Sequence, residues 1–402
     1  MEMMDSYIQR ANDVDAWALT REAILENSSA NRTFPQYIER AKGPYIWDTT
    51  GKQYVDMNMG YGPVVIGHAD SRIDNAVFEQ MKKGICYSPA WNLKQVELNE
   101  LLVDTIPSAE MAFLMKTGSD ATTAAIRLAR IFTGRSKILR WGYHGWHDWA
   151  APRKEGIPSC VTRDVSSFSY NDLSSLEETF ANFPEEIACV IMMPYELEKP
   201  SQGFLNSVRE LAHKNGAIFI LDEMRSGFRV SLGGAQEYFG VDPDLSTFSK
   251  AMANGYAISA LVGKKEIMSE MRKTHMSSTY FGNSPEMAAA IATINIIRNE
   301  GVCDSLWEKG RYFSDSFRKI LEKLNFPAKI VGYPVSPFLQ FDNSPNYELV
   351  KQKLFENMIK CGVFIHPNHQ WFLSSAHTVS DLDFVIEAFA ESARFSLGYY
   401  DE

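Results

Sequence analysis

From about residue 95 the chain alternates between two periods, and this alternation restricts its fold more than any other feature. "QVELNELLVDTI", "DATTAAIRLARIFTG", "NDLSSLEETFANF" and "NSVRELAHKNG" carry helical spacing, whereas "EMAFLMK", "SKILRW", "ACVIMM" and "AIFILD" are short apolar runs between them. Apolar runs without polar alternation are strands buried on both faces, and the helices between them are long enough to serve as crossovers. That pattern predicts a mostly parallel sheet with helices on both sides.

The flanking regions read differently. Residues 35–59 contain two alternating segments around "DTTGK", the signature of a hairpin or small sheet. After an apolar helix candidate at 284–299, helix and strand patterns continue to "SDLDFVIEAFAESARFSLG". The expected fold class is therefore α/β, a large domain with a mostly parallel mixed sheet covered by helices, plus a small α+β domain from the N- and C-terminal segments. The expected boundaries are 1–58 for the N-terminal segment, 59–300 for the large domain and 301–402 for the C-terminal small domain. With 402 residues, 45% of them hydrophobic, the chain can bury a core of that size.

A formal charge of −10 and the lack of a Lys/Arg run argue against nucleic acid as a partner. The five cysteines, Cys86, Cys160, Cys189, Cys303 and Cys361, are scattered and form no C-x-x-C pair, which suggests neither a disulfide framework nor a zinc cage. "MEMMDSYIQRANDVDAWALT" lacks the apolar core of a signal peptide, and no stretch approaches membrane-spanning length. The expectation is a soluble cytoplasmic protein with small-molecule partners and no membrane partner.

In an open parallel sheet, ligands collect beyond the carboxyl ends of the strands, so polar residues there carry functional weight. Asp222 ends the run "AIFILD", either as a solvated strand-end acid or as a carboxylate aimed into the crevice. Pleat alternation sends the next acid, Glu223, to the opposite face. In "KTGSDATTAAIRLAR" a strand leads through Gly118, Ser119 and Asp120 into a helix, which reads either as plain N-capping or as a phosphate site built from exposed N–H groups. "WGYHGWHDW" gathers aromatic rings and imidazoles behind a third strand. Its His144, His147 and Asp148 lack further ligands at metal spacing, so a planar ligand stacked on Tyr143 competes with ordinary aromatic packing.

Lys250 closes another apolar run, 28 residues after Asp222, and is followed by "AMANGYAISALVG". Desolvation at a strand end lowers an amine's pKa and makes it a nucleophile toward carbonyls. A phosphate cradle, a stacking ring, a carboxylate and a nucleophilic lysine together are what pyridoxal 5'-phosphate requires. In that arrangement Lys250 forms the Schiff base, Asp222 keeps the pyridine nitrogen protonated, and the released amine of Lys250 shuttles the proton.

These same segments resemble the class III aminotransferases of fold type I, and within them glutamate-1-semialdehyde aminomutase and its relatives. The similarity runs from "YIERAKGPYIWDTTGKQYVDMNMGYGPVVIGHAD" through "TGSDATTAAIRLARIFTGRSKI", "GYHGWHD", "LDEMRSGFRVSLGGAQEYFGVDPDLSTFSKAMANG" and "STYFGN" to "FLSSAHT". The resemblance implies the Lys250 link to the cofactor, Asp222 at the pyridine nitrogen, and Tyr143 over the ring with His144 beside it. It further implies Gly118 and Ser119 at the phosphate and Met224 near the ring's other face. Thr279 is implied to reach the phosphate of a neighbouring subunit, hence a homodimer with active sites at the subunit interface. Arg32 matches a position where the aminomutases hold the substrate carboxylate.

Two departures concern the substrate end. Met193 and Pro194 stand where relatives usually have Glu-Pro, and "PNHQWF" replaces a glutamate-bearing segment of the aminomutases. The leading expectation is an aminotransferase that passes nitrogen from an amino donor, through pyridoxamine phosphate, to a keto or aldehyde acceptor, with a sugar-linked or specialised-metabolite carbonyl as one candidate. A 1,2-aminomutase, a cofactor-free lysine aldolase and a non-catalytic scaffold are the competing readings.

Overall fold

The computed structural model describes residues 2–16, 37–342 and 347–399. Two compact units emerge, Met1–Asp70 with Ser305–Glu402 and Ser71–Asp304.

The second unit holds the large sheet. Its strands are β1 (Met111–Met115), β2 (Lys137–Trp141), β3 (Val165–Ser167), β4 (Ile187–Met192), β5 (Ile218–Asp222), β6 (Leu245–Phe248) and β7 (Ser259–Gly263). Their order across the sheet is β1-β7-β6-β5-β4-β2-β3. From β6 to β3 every pairing is parallel, and β7 alone runs antiparallel to both of its neighbours. Every residue of β4, β5, β6 and β7 is buried, which is why β4 and, up to Asp222, β5 read as continuous apolar runs; β6 carries the buried hydroxyls of Ser246 and Thr247.

Period-2 alternation divides the core into two layers. Ile138, Cys189, Ile191, Ile218 and Ile220 face one side, against the alanine-rich helix Gly118–Thr133. Leu139, Val190, Met192, Phe219 and Leu221 face the other, against Val208 and Ala212 of the helix Phe204–Lys214 and Leu176 and Phe180 of the helix Leu173–Asn182. Ala121, Ala124, Ala125 and Ala129 are all buried, and such small side chains bring their helix close to the sheet. Asp222 continues the series Ile218, Ile220 and so emerges on the face covered by that helix.

Glu223 turns the other way, as the pleat demands. Its carboxylate accepts from the N–H groups of Ala235 and Gln236, both at 2.8 Å, and from the Ser226 hydroxyl. Burial pushes its carboxyl up to about 7 despite these donors. Gly234, at φ +88°, is required beside it, because a Cβ there would lie 2.8 Å from the Glu223 carboxyl group. The second acid of the pair therefore anchors the chain between β5 and β6.

In the first unit, Ile38–Lys42, Tyr45–Asp48 and Gln53–Asp56 form an antiparallel meander, and Val363–Phe364 adds in parallel to its last strand. Ala328–Tyr333 and Ser336–Phe341 make a separate hairpin. Phe317 packs on Phe389 and Trp371, at ring separations of 4.1 and 5.5 Å. Thr378 and Asp381 close a reciprocal capping box on the helix Val379–Leu397. Among the described residues, no helix is long and apolar enough to cross a membrane.

Replacing Glu223 with alanine strands three buried donors at once. E223A is expected to cost about 3–5 kcal/mol and to lower the thermal midpoint by on the order of 10 °C. E223Q, which keeps one acceptor oxygen, is expected to lose less in the same calorimetric scan.

Candidate active site

Beyond the carboxyl ends of β1, β2 and β5 lies a cavity of about 190 Å³ lined by Gly118, Ser119, Tyr143, His144, Gly145, Met193, Asp222, Met224, Arg225, Ser249 and Lys250. Seven of the residues singled out from the sequence meet here: Gly118, Ser119, Tyr143, His144, Asp222, Met224 and Lys250. Thr279 does not line it and lies exposed in the loop before the helix Ser284–Asn299. Arg32 falls outside the described residues.

Asp222 is 1% exposed and His144 is 2% exposed. Their Nδ1 and Oδ2 atoms are 2.6 Å apart. His144 Nε2 faces the Trp141 carbonyl at 3.1 Å, and a carbonyl only accepts, so this nitrogen carries a hydrogen. Nδ1 faces the Asp222 carboxylate, so the ring is held between that acid and the Trp141 carbonyl. The other carboxylate oxygen accepts from the Met224 N–H at 3.1 Å and the Thr247 hydroxyl at 3.3 Å. A buried carboxylate held on both oxygens is fixed in direction, as a partner for a ligand's cationic nitrogen requires.

The helix Gly118–Thr133 is capped by Thr117, one residue before the glycine. The Thr117 side chain accepts from the Asp120 N–H at 3.2 Å, and the Asp120 carboxylate accepts from the Thr117 N–H at 2.8 Å. This box leaves the N–H groups of Gly118 and Ser119 at the cavity wall, where the helix dipole favours an anion. The Ser119 hydroxyl accepts from the Trp146 N–H at 3.2 Å and retains its own hydrogen for a ligand. At Gly145, φ is +107° and a Cβ would sit 2.2 Å from Ser119 Oγ. At Gly118 a Cβ would meet Met224 Sδ at 2.9 Å. Backbone can approach a bound phosphate here because side chains are missing at both positions, so this cradle fits pyridoxal phosphate.

Lys250 follows β6 by two residues and opens a 3-10 turn, Lys250–Ala253, at φ +44°. An α-left lysine is uncommon and costs about 1–3 kcal/mol. The turn is held by buried Ala251, Met252 and Ala253, and the Ser249 hydroxyl donates to the Ile258 carbonyl at 2.7 Å. Burial pushes the Lys250 amine down to about 8; the positive charge of Arg225 adds to this and Asp222 opposes it.

Tyr143 is 56% exposed at the cavity wall. Its N–H lies 3.3 Å from Met193 Sδ, and Gly142 permits that contact, since a Cβ there would be 2.8 Å from the same sulfur. Of the remaining rings of "WGYHGWHDW", Trp146 is 70% exposed, whereas Trp141 and Trp149 are held by packing and hydrogen bonding. Trp141 stacks on Tyr170 at 4.0 Å, and Trp149 Nε1 donates to the Thr123 hydroxyl at 2.9 Å. Sequence reasoning passed over Arg225 and Ser249, both of which line the cavity. Arg225 stands three residues after Asp222, the only signal available for it.

Two outcomes are expected. The reaction of apoprotein with a small aldehyde, followed by absorbance across the pH range, should reach half its maximal rate near the lowered value of about 8 rather than near 10.5; the amine is nucleophilic only when deprotonated, so the rate rises with pH. G145A should weaken cofactor retention by at least about tenfold in reconstitution titrations, because its methyl group displaces the Ser119 hydroxyl.

Comparison with known proteins agrees with this geometry. The family model for Aminotransferase class-III matches residues 27–383. The 3-aminobutyryl-CoA aminotransferase of Cloacimonas acidaminovorans is 43% identical over 369 residues, covering 89% of each chain. The glutamate-1-semialdehyde 2,1-aminomutase of Methanosphaera stadtmanae is 33% identical over 389 residues, covering 89% of this chain and 92% of that one. Among solved structures, the FumI protein of Sphingopyxis sp. MTA144, in its PLP internal aldimine form, superposes with a TM-score of 0.92 at 29% identity, covering 99% of this chain and 97% of that one. A helix start suited to an anion, a buried lysine lining the same cavity and a match across most of the length lead to one assignment: the chain belongs to the class III aminotransferases, pyridoxal-phosphate-dependent enzymes of fold type I.

Proposed function

We propose that this chain transfers the amino group of a 3-aminoacyl substrate, a thioester of the 3-aminobutyryl type, to a carbonyl acceptor. The observation that carries the chemistry is the gathering of Lys250, the Asp222–His144 pair and the Gly118–Ser119 helix start in one cavity. The substrate class is supported by the 43% identical relative, which is named for 3-aminobutyryl-CoA.

Lys250 would hold the cofactor by its aldehyde, Gly118 and Ser119 by its phosphate, and Asp222 by its ring nitrogen, with Tyr143 and Met224 against the ring. When bound, pyridoxal phosphate supplies an electron sink for the pair left as a substrate carbon loses its proton. The Lys250 amine, pushed down to about 8, is suited to take and return that proton near neutral pH. His144 acts through Asp222 by fixing its direction, and buried Met193 keeps an apolar wall where relatives usually have a glutamate.

The active unit is proposed to be a homodimer in which Thr279 reaches the partner's cofactor phosphate. Trp91 and Leu93 are 81% and 80% exposed, and Tyr280, beside Thr279, is 61% exposed. Aromatic and aliphatic side chains this open are suited to cover by a second copy.

Half-reactions distinguish the alternatives. Purified protein mixed with 3-aminobutyryl-CoA should lose its bound-aldehyde absorbance, and a screen of keto acids, aldehydes and sugar-linked carbonyls should identify what restores it. Free 3-aminobutyrate reacting as fast as the thioester would sink the thioester assignment. Turnover of glutamate-1-semialdehyde without any donor would establish the mutase instead. K250A should lose at least about 1,000-fold in turnover while retaining its fold by circular dichroism.

A further inference from the structure

Resting on the proposed homodimer, in which Thr279 reaches the partner's cofactor phosphate, we propose that Lys116 is a positioning residue whose ion pair with Glu286 sets the turn that carries Thr279. The inference starts from an ion pair in an unfavourable place. Lys116 Nζ and Glu286 Oε1 are 3.0 Å apart, and the two side chains are only 16% and 20% exposed. Neither the Lys116 amine nor Glu286 Oε2 has a hydrogen-bond partner among the described residues. At the far end of the same helix, the Arg298–Asp104 pair lies open to water, at 34% and 69% exposure. Two charges withdrawn from water with so few hydrogen bonds contribute little net stability, yet removing either one strands the other. The Lys116–Glu286 pair therefore acts chiefly on position.

Each partner adjoins a segment that serves the cofactor. Lys116 follows β1 and precedes Thr117, the cap of the helix whose start is suited to phosphate. Glu286 lies in the first turn of the helix Ser284–Asn299, shortly after Thr279. Thr279 and Tyr280 are the central residues of a turn closed by the Phe281 N–H, which donates to the Ser278 carbonyl at 3.2 Å. A second turn follows at once, with the Asn283 N–H donating to the Tyr280 carbonyl at 3.1 Å. Two successive closed turns leave little slack between Glu286 and Thr279.

Other contacts hold the base of this turn from two sides. Phe113 of β1 meets Phe281 edge to face, with ring centroids 6.0 Å apart. On the opposite flank the Ser284 N–H donates to the Ile85 carbonyl at 3.1 Å, and Gln80 Nε2 donates to the Ser284 hydroxyl at 3.0 Å. An aromatic edge contact tolerates sliding, because each atom pair contributes little. A buried charge pair does not, because separation leaves both charges desolvated and apart. Lys116 thus ties the helix start that serves one subunit's cofactor to the Thr279 turn that serves the other's.

The test is reconstitution of the full-length apoprotein with pyridoxal phosphate, followed by absorbance, for the parent, K116M, T279A and the double variant, with phosphate-free pyridoxal as control. K116M keeps the side chain's length without its charge. It should weaken pyridoxal phosphate binding about tenfold in the parent background and less than about twofold in the T279A background, since a residue acting through Thr279 then has nothing left to position. Its affinity for pyridoxal should match that of the parent. E286Q neutralises the other member, should repeat the pattern, and carries the test if K116M does not fold. Additive losses in K116M and T279A would overturn the proposal, as would an equal loss for pyridoxal or parent affinity in both K116M and E286Q. In each of these cases a weakened T279A leaves the homodimer reading standing. T279A binding pyridoxal phosphate as tightly as the parent would sink that reading, and this inference with it.

Discussion

The bond between His144 Nδ1 and Asp222 Oδ2 is the constraint around which the cavity is arranged. Both side chains are almost fully buried, so removing either leaves Asp222 Oδ2 or His144 Nδ1 without the bond between them, at a cost of roughly 3–5 kcal/mol. That penalty fixes the loop after β2 against the end of β5, and with it the Tyr143 and Gly145 backbone. Gly145 in turn lies against Ser119, and Ser119 opens the helix whose alanine face packs on the same side of the sheet. A single buried pair thereby relates three strand ends and one helix start.

The electrostatics of the cavity follow from burial and not from an excess of charge. The whole chain is acidic, at −10, yet the lining carries a lysine, an arginine and a histidine against one carboxylate. Lys250 lies partly buried beside Arg225, and both burial and that neighbour favour the neutral amine. Water would erase this effect, since two exposed cations attract counter-ions and screen one another. Enclosure at the strand ends is what lets a lysine and an arginine line one cavity with the same acid while the Lys250 amine stays below its ordinary pKa.

How much of this was legible depended on whether a property is local in sequence. Buried parallel strands leave a signature in consecutive residues, so "AIFILD" and "ACVIMM" could be placed, and the pleat then separated Asp222 from Glu223 correctly. The hairpin reading around "DTTGK" worked for the same reason, since Tyr45–Asp48 and Gln53–Asp56 do pair. The helix cap was harder: Ser119 and Asp120 were both reasonable caps, but Thr117 caps and Asp120 only answers it. A capping box is reciprocal, and residue types alone do not say which member lies outside the helix. Arg225 was invisible because its interest comes from a wall shared with Lys250 and a partner on another loop, and nothing within three residues announces either. The antiparallel strand β7 was not singled out, although "SALVG" follows the lysine turn with no crossover helix, and a link without a crossover is what an antiparallel neighbour allows.

The division between what was and was not legible has a physical origin. Residues proposed for the cofactor, Gly118, Ser119, Asp222 and Lys250, sit where regular elements begin or end, and their directions are set by helix and strand geometry that the rest of the core enforces. Met193, Glu196 and Arg225 sit on loops after strands, where a side chain can change without disturbing the sheet. Changes there are tolerated because the sheet does not depend on them, and one such change redirects recognition while the reaction stays the same.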